Sequence, residues 1–261
     1  MLGGKEIVQI TTLDERWYET KSGAFKPSST WIASYYPKGI NFYKWLAEKG
    51  WDEAEAIKRE AGERGSKVHQ VIEALIKGAK IRMDDKVTNP NTLQSEELTP
   101  DEWDAVWSFV RWYEGKLANP TFKIIANEVA VEGENYCGTL DLLYSENGEN
   151  VILDVKTSAH IWKEHELQIS SYKHAVEMAT KKKIARLEIL QVGYKRNKDG
   201  FKLTEIADKY DLFQHAYAIW EEENKDVQPK QKDYPMELSL PKKTKVAKKP
   251  TTKKVIKKSK K

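Results

Sequence analysis

The stretch Val151-Ile-Leu-Asp-Val-Lys-Thr-Ser158 indicates the fold of this chain most directly. Side chains alternate along a strand, so Asp154 and Lys156 share one face while Leu153 and Val155 share the other. Apolar residues on both faces are typical of a strand that is buried on both sides. A carboxylate and an ammonium group there are costly unless they are paired or bind a metal ion. A simple ion pair at a strand end is the alternative explanation.

A second carboxylate lies in the preceding β-rich run, in Gly138-Thr-Leu-Asp141. A hairpin around Glu146-Asn-Gly-Glu149 would bring Asp141 and Asp154 to one face of the sheet. Two converging carboxylates supply the oxygen ligands that Mg²⁺ or Mn²⁺ requires. A neighbouring lysine can stabilise the charge that develops on a phosphate and hold an attacking water. A chance acidic pair on a polar sheet face is the alternative.

Two helical motifs accompany these strands. His69 follows Gly65 by one turn, where a glycine permits close backbone approach and the imidazole can reach the sheet edge. Gln168 and Tyr172 share one face of the helix after the third strand. A lone helical histidine is usually structural, and Tyr172 also falls in an apolar stripe, so core packing explains both without any site.

Apolar residues at helical spacing predict the helices that precede the β-rich runs in the sequence. A helix is expected from Trp51 to about Lys77, with interruptions at Gly62 and Gly65. Residues 80–98 are interpreted as a polar excursion with a turn at 89–91. Thr99-Pro-Asp-Glu predicts the start of another helix. Its aromatic stripe is expected to lie in the core and consists of Trp103, Val106, Trp107, Val110 and Tyr113.

Three β-rich runs, 122–131, 137–144 and 151–156, predict a meander. A helix over 163–179, a strand over 186–194 that can pair with 201–206, and a last helix over 211–223 follow. The order helix, three strands, helix, strand (αβββαβ) predicts an α/β or α+β fold with a mixed β-sheet flanked by helices.

We divide the sequence into three parts. Residues 1–50 form an N-terminal extension, with a hairpin at 16–25 and a helical stretch that Ser28-Ser-Thr can cap. Residues 51–228 form the core. Residues 229–261 are a Lys-rich tail whose composition predicts disorder.

Composition excludes several classes of protein. The 261 residues can bury one sizeable core or two small ones. The single cysteine, Cys137, excludes an internal disulfide, a multi-thiolate zinc site and a four-cysteine iron–sulfur cluster. Neither a phosphate-loop nor a dinucleotide-binding motif occurs. Without a secretory signal or a run of about 18 apolar residues, we expect a cytoplasmic protein with no membrane partner.

The net charge of +4 is unevenly distributed. Residues 241–261 carry eleven lysines and no acid, which leaves −7 for residues 1–240. An acidic body can collect divalent metal while a basic tail contacts phosphate. Solubilisation of an ordinary domain is the alternative role of the tail.

Together and in this order, the motifs His69, Gly138-Thr-Leu-Asp, Leu153-Asp-Val-Lys-Thr-Ser and Gln168-x-x-x-Tyr resemble the RecB-like branch of the PD-(D/E)XK nuclease superfamily. The resemblance covers roughly residues 14–220, and residues 16–45 are similar to phage-type exonucleases. It implies a restriction-endonuclease-like core without the cysteines or helicase motifs that some relatives carry.

The resemblance also implies roles for the site residues. His69, Asp141 and Asp154 would bind one or two Mg²⁺ or Mn²⁺ ions, with the Val155 carbonyl as a further ligand. Lys156 would position the attacking water or stabilise the phosphate. The pair Gln168 and Tyr172 would order the site and contact DNA. Glu128 is a candidate ligand of a second ion, although an exposed strand carboxylate is an equal alternative.

The function implied is a Mg/Mn-dependent deoxyribonuclease, most simply an exonuclease of phage or bacterial recombination, replication or DNA degradation. If phage-encoded, it would act in the host cytoplasm. A structure- or sequence-specific endonuclease and a non-cleaving DNA-binding protein are alternatives. Single- or double-stranded DNA is the expected partner, and a recombination or replication protein is a second candidate. The tail residues assigned to DNA binding are Lys242, Lys243, Lys245, Lys248, Lys249, Lys253 and Lys254.

Overall fold

The computed structural model describes residues 7–11, 16–89, 92–227, 229 and 237–239. The chain divides into a unit from Met1 to Pro229 and a second unit from Lys230 to Lys261. In chain order the elements are β1 (Val8–Thr11), β2 (Arg16–Glu19), β3 (Phe25–Pro27), α1 (Ser29–Ala33), α2 (Ile40–Lys49), α3 (Trp51–Ile76), β4 (Lys86–Thr88), β5 (Ser95–Glu97), α4 (Pro100–Leu117), β6 (Lys123–Glu132), β7 (Cys137–Glu146), β8 (Glu149–Lys156), α5 (Lys163–Thr180), β9 (Arg186–Val192), β10 (Phe201–Ile206) and α6 (Tyr210–Asn224).

The central sheet has five strands in the order β10-β9-β8-β7-β6. Strands β6, β7 and β8 form an antiparallel meander, β8 and β9 are parallel, and β10 pairs antiparallel with β9. The parallel step requires a crossover connection, which α5 provides. The sheet is therefore mixed, and the predicted α/β fold with its helix, three-strand, helix, strand order is confirmed.

The hairpin between β7 and β8 turns on Asn147 and Gly148, whose φ angles are +53° and +81°. Positive φ at both central residues defines the tight two-residue turn that Asn-Gly favours. The register pairs Leu142 with Leu153. If this register is extended by one residue, Asp141 lies opposite Asp154. Both side chains therefore lie on the same face of the sheet, as predicted.

Helices cover both faces of the sheet and bury two apolar clusters. On one face, α3 and α4 pack against Leu153 and Val155 of β8. On the other face, α1, α5 and α6 pack against Ile152 of β8. Because both faces of β8 are covered, its apolar residues on either side are buried, as its sequence predicts.

The predictions for α3 and α4 need correction. The helix α3 continues through Gly62 and Gly65 without a break, because glycine costs only about 1 kcal/mol per position and packing of the helix outweighs it. In α4 the buried apolar residues are Ala105, Val106, Phe109 and Trp112. Of the predicted stripe, Val106 is buried and Trp103 and Tyr113 pack against the same cluster. Trp107 alone of these aromatic residues is exposed, by 54%, with the Arg111 guanidinium 4.4 Å from its ring centroid.

The segment 80–98 is more structured than predicted. It contains the short antiparallel pair β4 and β5, while two residues of the predicted turn, 90 and 91, lie outside the described residues. The buried ammonium of Lys67 explains part of this order, because it lies 2.8 Å from Glu102 of α4 and 3.4 Å from Glu96 of β5. A buried cation needs such partners.

Within the first unit, the N-terminal part packs against α6 through aromatic side chains. Its predicted hairpin is present as β2 and β3, and Ser28 caps α1 by accepting a hydrogen bond from Trp31 N. The rings of Trp17, Trp31 and Trp220 meet edge to face at 5.1–5.9 Å. The division at residues 50 and 228 stays a prediction. Among the described helices, none has the length and apolar character needed to cross a membrane.

Candidate active site

Three side chains that could ligate a metal ion, from three elements, converge at one edge of the sheet. They are His69 of α3, Glu128 of β6 and Asp141 of β7, and their ligand atoms lie within 4.8 Å of one another. His69 Nδ1 is 3.4 Å from Glu128 Oε1 and 3.7 Å from Asp141 Oδ2. The structure therefore places the predicted histidine beside the predicted carboxylates.

The backbone of Val155 connects this cluster to β8. Its carbonyl accepts a hydrogen bond of 3.0 Å from His69 Nε2, and its N–H donates one of 2.7 Å to Asp141 Oδ2. The carbonyl predicted as a ligand thus lies among the other candidates.

Glu128 adopts a backbone conformation that non-glycine residues rarely adopt. Its φ is +47° within β6, and such a conformation costs on the order of 1–3 kcal/mol. Strain of this kind concentrates at functional sites. Its carboxylate is partly buried against His69 rather than exposed as an ordinary strand carboxylate.

Asp154 lies outside that three-residue group and pairs with Lys156 instead. Lys156 Nζ is 2.7 Å from Asp154 Oδ2, so the ion pair considered as an alternative from sequence is present. Asp154 is fully buried, and its other oxygen, Oδ1, accepts no hydrogen bond from any described residue. A buried carboxylate left in this state is poorly compensated by the protein alone.

A chain of hydrogen bonds holds Lys156 from the side of α5. Gln168 Oε1 accepts from Lys156 Nζ at 3.3 Å, and Gln168 Nε2 donates to the Tyr172 hydroxyl at 2.7 Å. The ring of Tyr172 is buried in the core. The ring of Tyr172 thus packs in the core while its hydroxyl holds Gln168, and a contact of Tyr172 with DNA stays a prediction.

Gly138 has a role that sequence reasoning missed. A Cβ at this position would fall well inside van der Waals contact of Tyr172 Cε1. Only glycine allows the Tyr172 ring to lie against β7. At Gly65, by contrast, an added Cβ would make an ordinary contact of 3.6 Å with Thr157 Oγ1, so close approach does not explain that glycine.

Burial and mutual charge shift the pKa values in the site. Burial raises the pKa of Asp154 to about 6, although the Lys156 ammonium opposes the shift. For His69, burial lowers the pKa, but the Asp141 and Glu128 carboxylates outweigh it and raise the value to about 9. Burial also raises the pKa of Asp141. Metal binding by His69 would therefore release a proton, because a ligating imidazole is neutral.

The donor set fits a hard divalent cation. Carboxylate and carbonyl oxygens suit Mg²⁺ and Mn²⁺, and a single imidazole is better tolerated by Mn²⁺. Asp154 Oδ1, which is buried without a hydrogen-bond partner among the described residues, is a further oxygen that could bind the cation. The tail lysines predicted to bind DNA lie outside the described residues.

The sequence profile of the PD-(D/E)XK nuclease superfamily matches residues 42–239. The chain therefore belongs to this superfamily, whose nucleases use divalent metal ions. The comparison with curated proteins gives no match.

Two solved structures show similarity at low identity. An alkaline exonuclease (LHK-Exo) from Laribacter hongkongensis has 8% identity and a TM-score of 0.39, with 77% of this chain and 88% of that chain covered. The protein SSO0001 has 9% identity and a TM-score of 0.33, with 63% of this chain and 87% of that chain covered.

Proposed function

We propose that the protein is a Mg²⁺- or Mn²⁺-dependent deoxyribonuclease that acts as an exonuclease. The observation that carries the proposal is the convergence of His69, Glu128 and Asp141 beside the buried Asp154–Lys156 pair. Exonuclease action is favoured over sequence-specific cleavage because the described residues contain no helix-turn-helix or zinc finger. The sequence motifs of residues 16–45 support the same choice.

His69, Glu128, Asp141 and Asp154, with the Val155 carbonyl, would hold the ion or ions. A divalent cation there supplies Lewis acidity toward a phosphate oxygen and lowers the pKa of bound water. Without it, the three carboxylates repel a phosphate, so their charge must be neutralised before DNA can approach.

Lys156 would act directly on the substrate. An ammonium group has three N–H donors, and one is directed at Asp154 and one at Gln168. The third remains to donate to a phosphate oxygen or to the attacking water, where it stabilises developing negative charge. Gln168 and Tyr172 fix the direction of that donor and are positioning residues.

The test uses purified protein with supercoiled circular DNA, linear duplex and single-stranded oligonucleotides, each with Mg²⁺, Mn²⁺ or EDTA. We expect loss of linear DNA from its ends, persistence of the circle, and no cleavage in EDTA. Asp141→Ala should abolish cleavage while DNA binding survives. Cleavage in EDTA at the normal rate would refute the metal requirement, and nicking of the circle would favour an endonuclease.

A protein that binds DNA without cutting it is the remaining alternative. Wild-type protein that binds the oligonucleotides but leaves all of them intact with either metal would favour that function. The buried Asp154–Lys156 pair argues against it, because burying two charged groups is costly and a non-catalytic fold gains nothing from keeping them.

A further inference from the structure

A cavity of about 220 Å³ opens beside the candidate active site. It lies between α3, α4 and the carboxyl ends of the parallel strands β8 and β9. Crevices at the carboxyl ends of parallel strands are where open α/β sheets commonly bind ligands. Its polar and charged lining includes Arg64, Asp101, Thr157, Lys195 and Arg196.

The lining is positively charged. It carries three cations and one carboxylate, and that carboxylate, Asp101, is paired with Lys195 at 2.9 Å. The side chains of Arg64 and Arg196 form no ion pair or hydrogen bond with another residue of the described ranges. The Arg64 Nε atom is buried without a hydrogen-bond partner. A buried guanidinium nitrogen that the protein leaves without an acceptor is satisfied by water or by a ligand.

The cavity adjoins the catalytic strand directly. Thr157 follows Lys156, and its hydroxyl makes no hydrogen bond to another residue in the described part of the chain. Arg64 precedes His69 by five positions on α3, a rise of about 7.5 Å. Along β8 the cavity lies roughly 10 Å from Asp154. Successive phosphates of one DNA strand are about 3.4 Å apart along the helix axis. A phosphate a few nucleotides from the bond that is cut would therefore lie within reach of this cavity.

We propose that this cavity binds a second DNA phosphate, held by Arg64 and Arg196 with the Thr157 hydroxyl as a further donor. The inference rests on the proposed function, since it takes DNA as the substrate. A guanidinium group suits this role because it donates two parallel hydrogen bonds to a phosphate. The phosphate so held is either internal or the terminal one, and it fixes the strand relative to the catalytic groups.

The test compares Arg64→Gln and Arg196→Gln with Arg59→Gln, which removes an exposed arginine from the same helix α3. DNA affinity is measured in EDTA, so that no cleavage occurs, over a salt series with 5′-phosphorylated and 5′-hydroxyl oligonucleotides. Thermal unfolding confirms that each variant is folded. Because Arg59→Gln removes the same charge, it corrects for the general loss of positive charge.

Each cavity variant should weaken binding about tenfold relative to Arg59→Gln, as for lost hydrogen bonds to a charged group. The log–log salt slope should flatten by about 0.7 on single strands or 0.9 on duplex. A loss confined to 5′-phosphorylated DNA identifies the terminal phosphate, and an equal loss on both substrates identifies an internal one. Folded cavity variants that match Arg59→Gln, or wild-type protein that binds no DNA, overturn the inference.

This design separates the inference from the proposed function. If cleavage proceeds with metal but the cavity variants behave like Arg59→Gln, the nuclease assignment stands and the second phosphate site does not. If binding falls as expected but the wild type never cuts, the cavity binds DNA and the catalytic proposal fails.

Discussion

Replacing Asp154 by asparagine should stabilise the protein in the absence of metal while abolishing cleavage. Asp154 is fully buried, and burial raises its pKa even though the Lys156 ammonium lies 2.7 Å from its Oδ2. The ionised form is therefore unfavourable in the folded state, and the substitution removes its charge at nearly constant volume. The proposed ion would lose one ligand, which accounts for the loss of activity.

The magnitude follows from the pKa of Asp154, which rises from an ordinary 3.8 to about 6. Each unit corresponds to about 1.4 kcal/mol. A carboxyl whose folded pKa is raised destabilises the fold once it ionises, so stability is lost as pH rises. The penalty is small at pH 4 and grows to about 3 kcal/mol at pH 8. The last value is an upper bound, because the asparagine variant also loses the ion pair with Lys156.

Urea unfolding in EDTA, measured between pH 5 and pH 8, tests this reasoning. The stability of Asp154→Asn relative to wild type should increase with pH over that range, by about 1 kcal/mol. Asp199→Asn, at an exposed position, is the matched control and should show no such trend. Added Mn²⁺ should then stabilise wild type more than Asp154→Asn. A variant equally or less stable than wild type at pH 8, with no trend in pH, would refute the argument.

Four further outcomes follow from the same geometry. Lys156→Ala should lower the cleavage rate by about 10²-fold or more, as for loss of one preorganised electrostatic group, and calorimetry should show Mn²⁺ affinity little changed. Tyr172→Phe should keep thermal stability but reduce the cleavage rate in parallel with Gln168→Ala; full activity would assign Tyr172 to packing alone. Gly138→Ala should destabilise by about 1–3 kcal/mol in urea unfolding, because the Tyr172 ring must move; unchanged stability would contradict the close approach. The fragment 1–240 should bind DNA more weakly at low salt with a slope flatter by a few units, and unchanged affinity and slope would mean that the tail lysines do not hold DNA.

Much of the fold could be predicted because its signals are local. The Asn147-Gly148 pair specifies a tight hairpin, and the alternation in β7 and β8 sets which side chains share a face. Thr99 and Glu102 form the full capping box that begins α4. These features depend on residues a few positions apart, so the sequence alone contains them.

What the sequence could not predict depends on tertiary contacts. The exposure of Trp107 depends on which side of α4 meets the sheet, and an aromatic stripe does not reveal that. The strained φ of Glu128 and its approach to His69 arise where β6 meets α3, which are 59 residues apart at these positions. The cavity joins Arg64 to Arg196 across a still longer separation. Such juxtapositions have no signature within a short window.

The Asn147-Gly148 turn has a consequence for the site at the opposite end of its two strands. It lies roughly 20 Å from Asp141 and Asp154, and Thr121 Oγ1 anchors it by accepting a hydrogen bond from Asn147 N at 2.8 Å. Because strand side chains alternate, the parity of residues between the two aspartates decides whether they face each other. An insertion here that slips β8 by one place would turn Asp154 away from its partner without altering any site residue. The length of this remote loop is therefore as much a requirement of the site as the identity of its carboxylates.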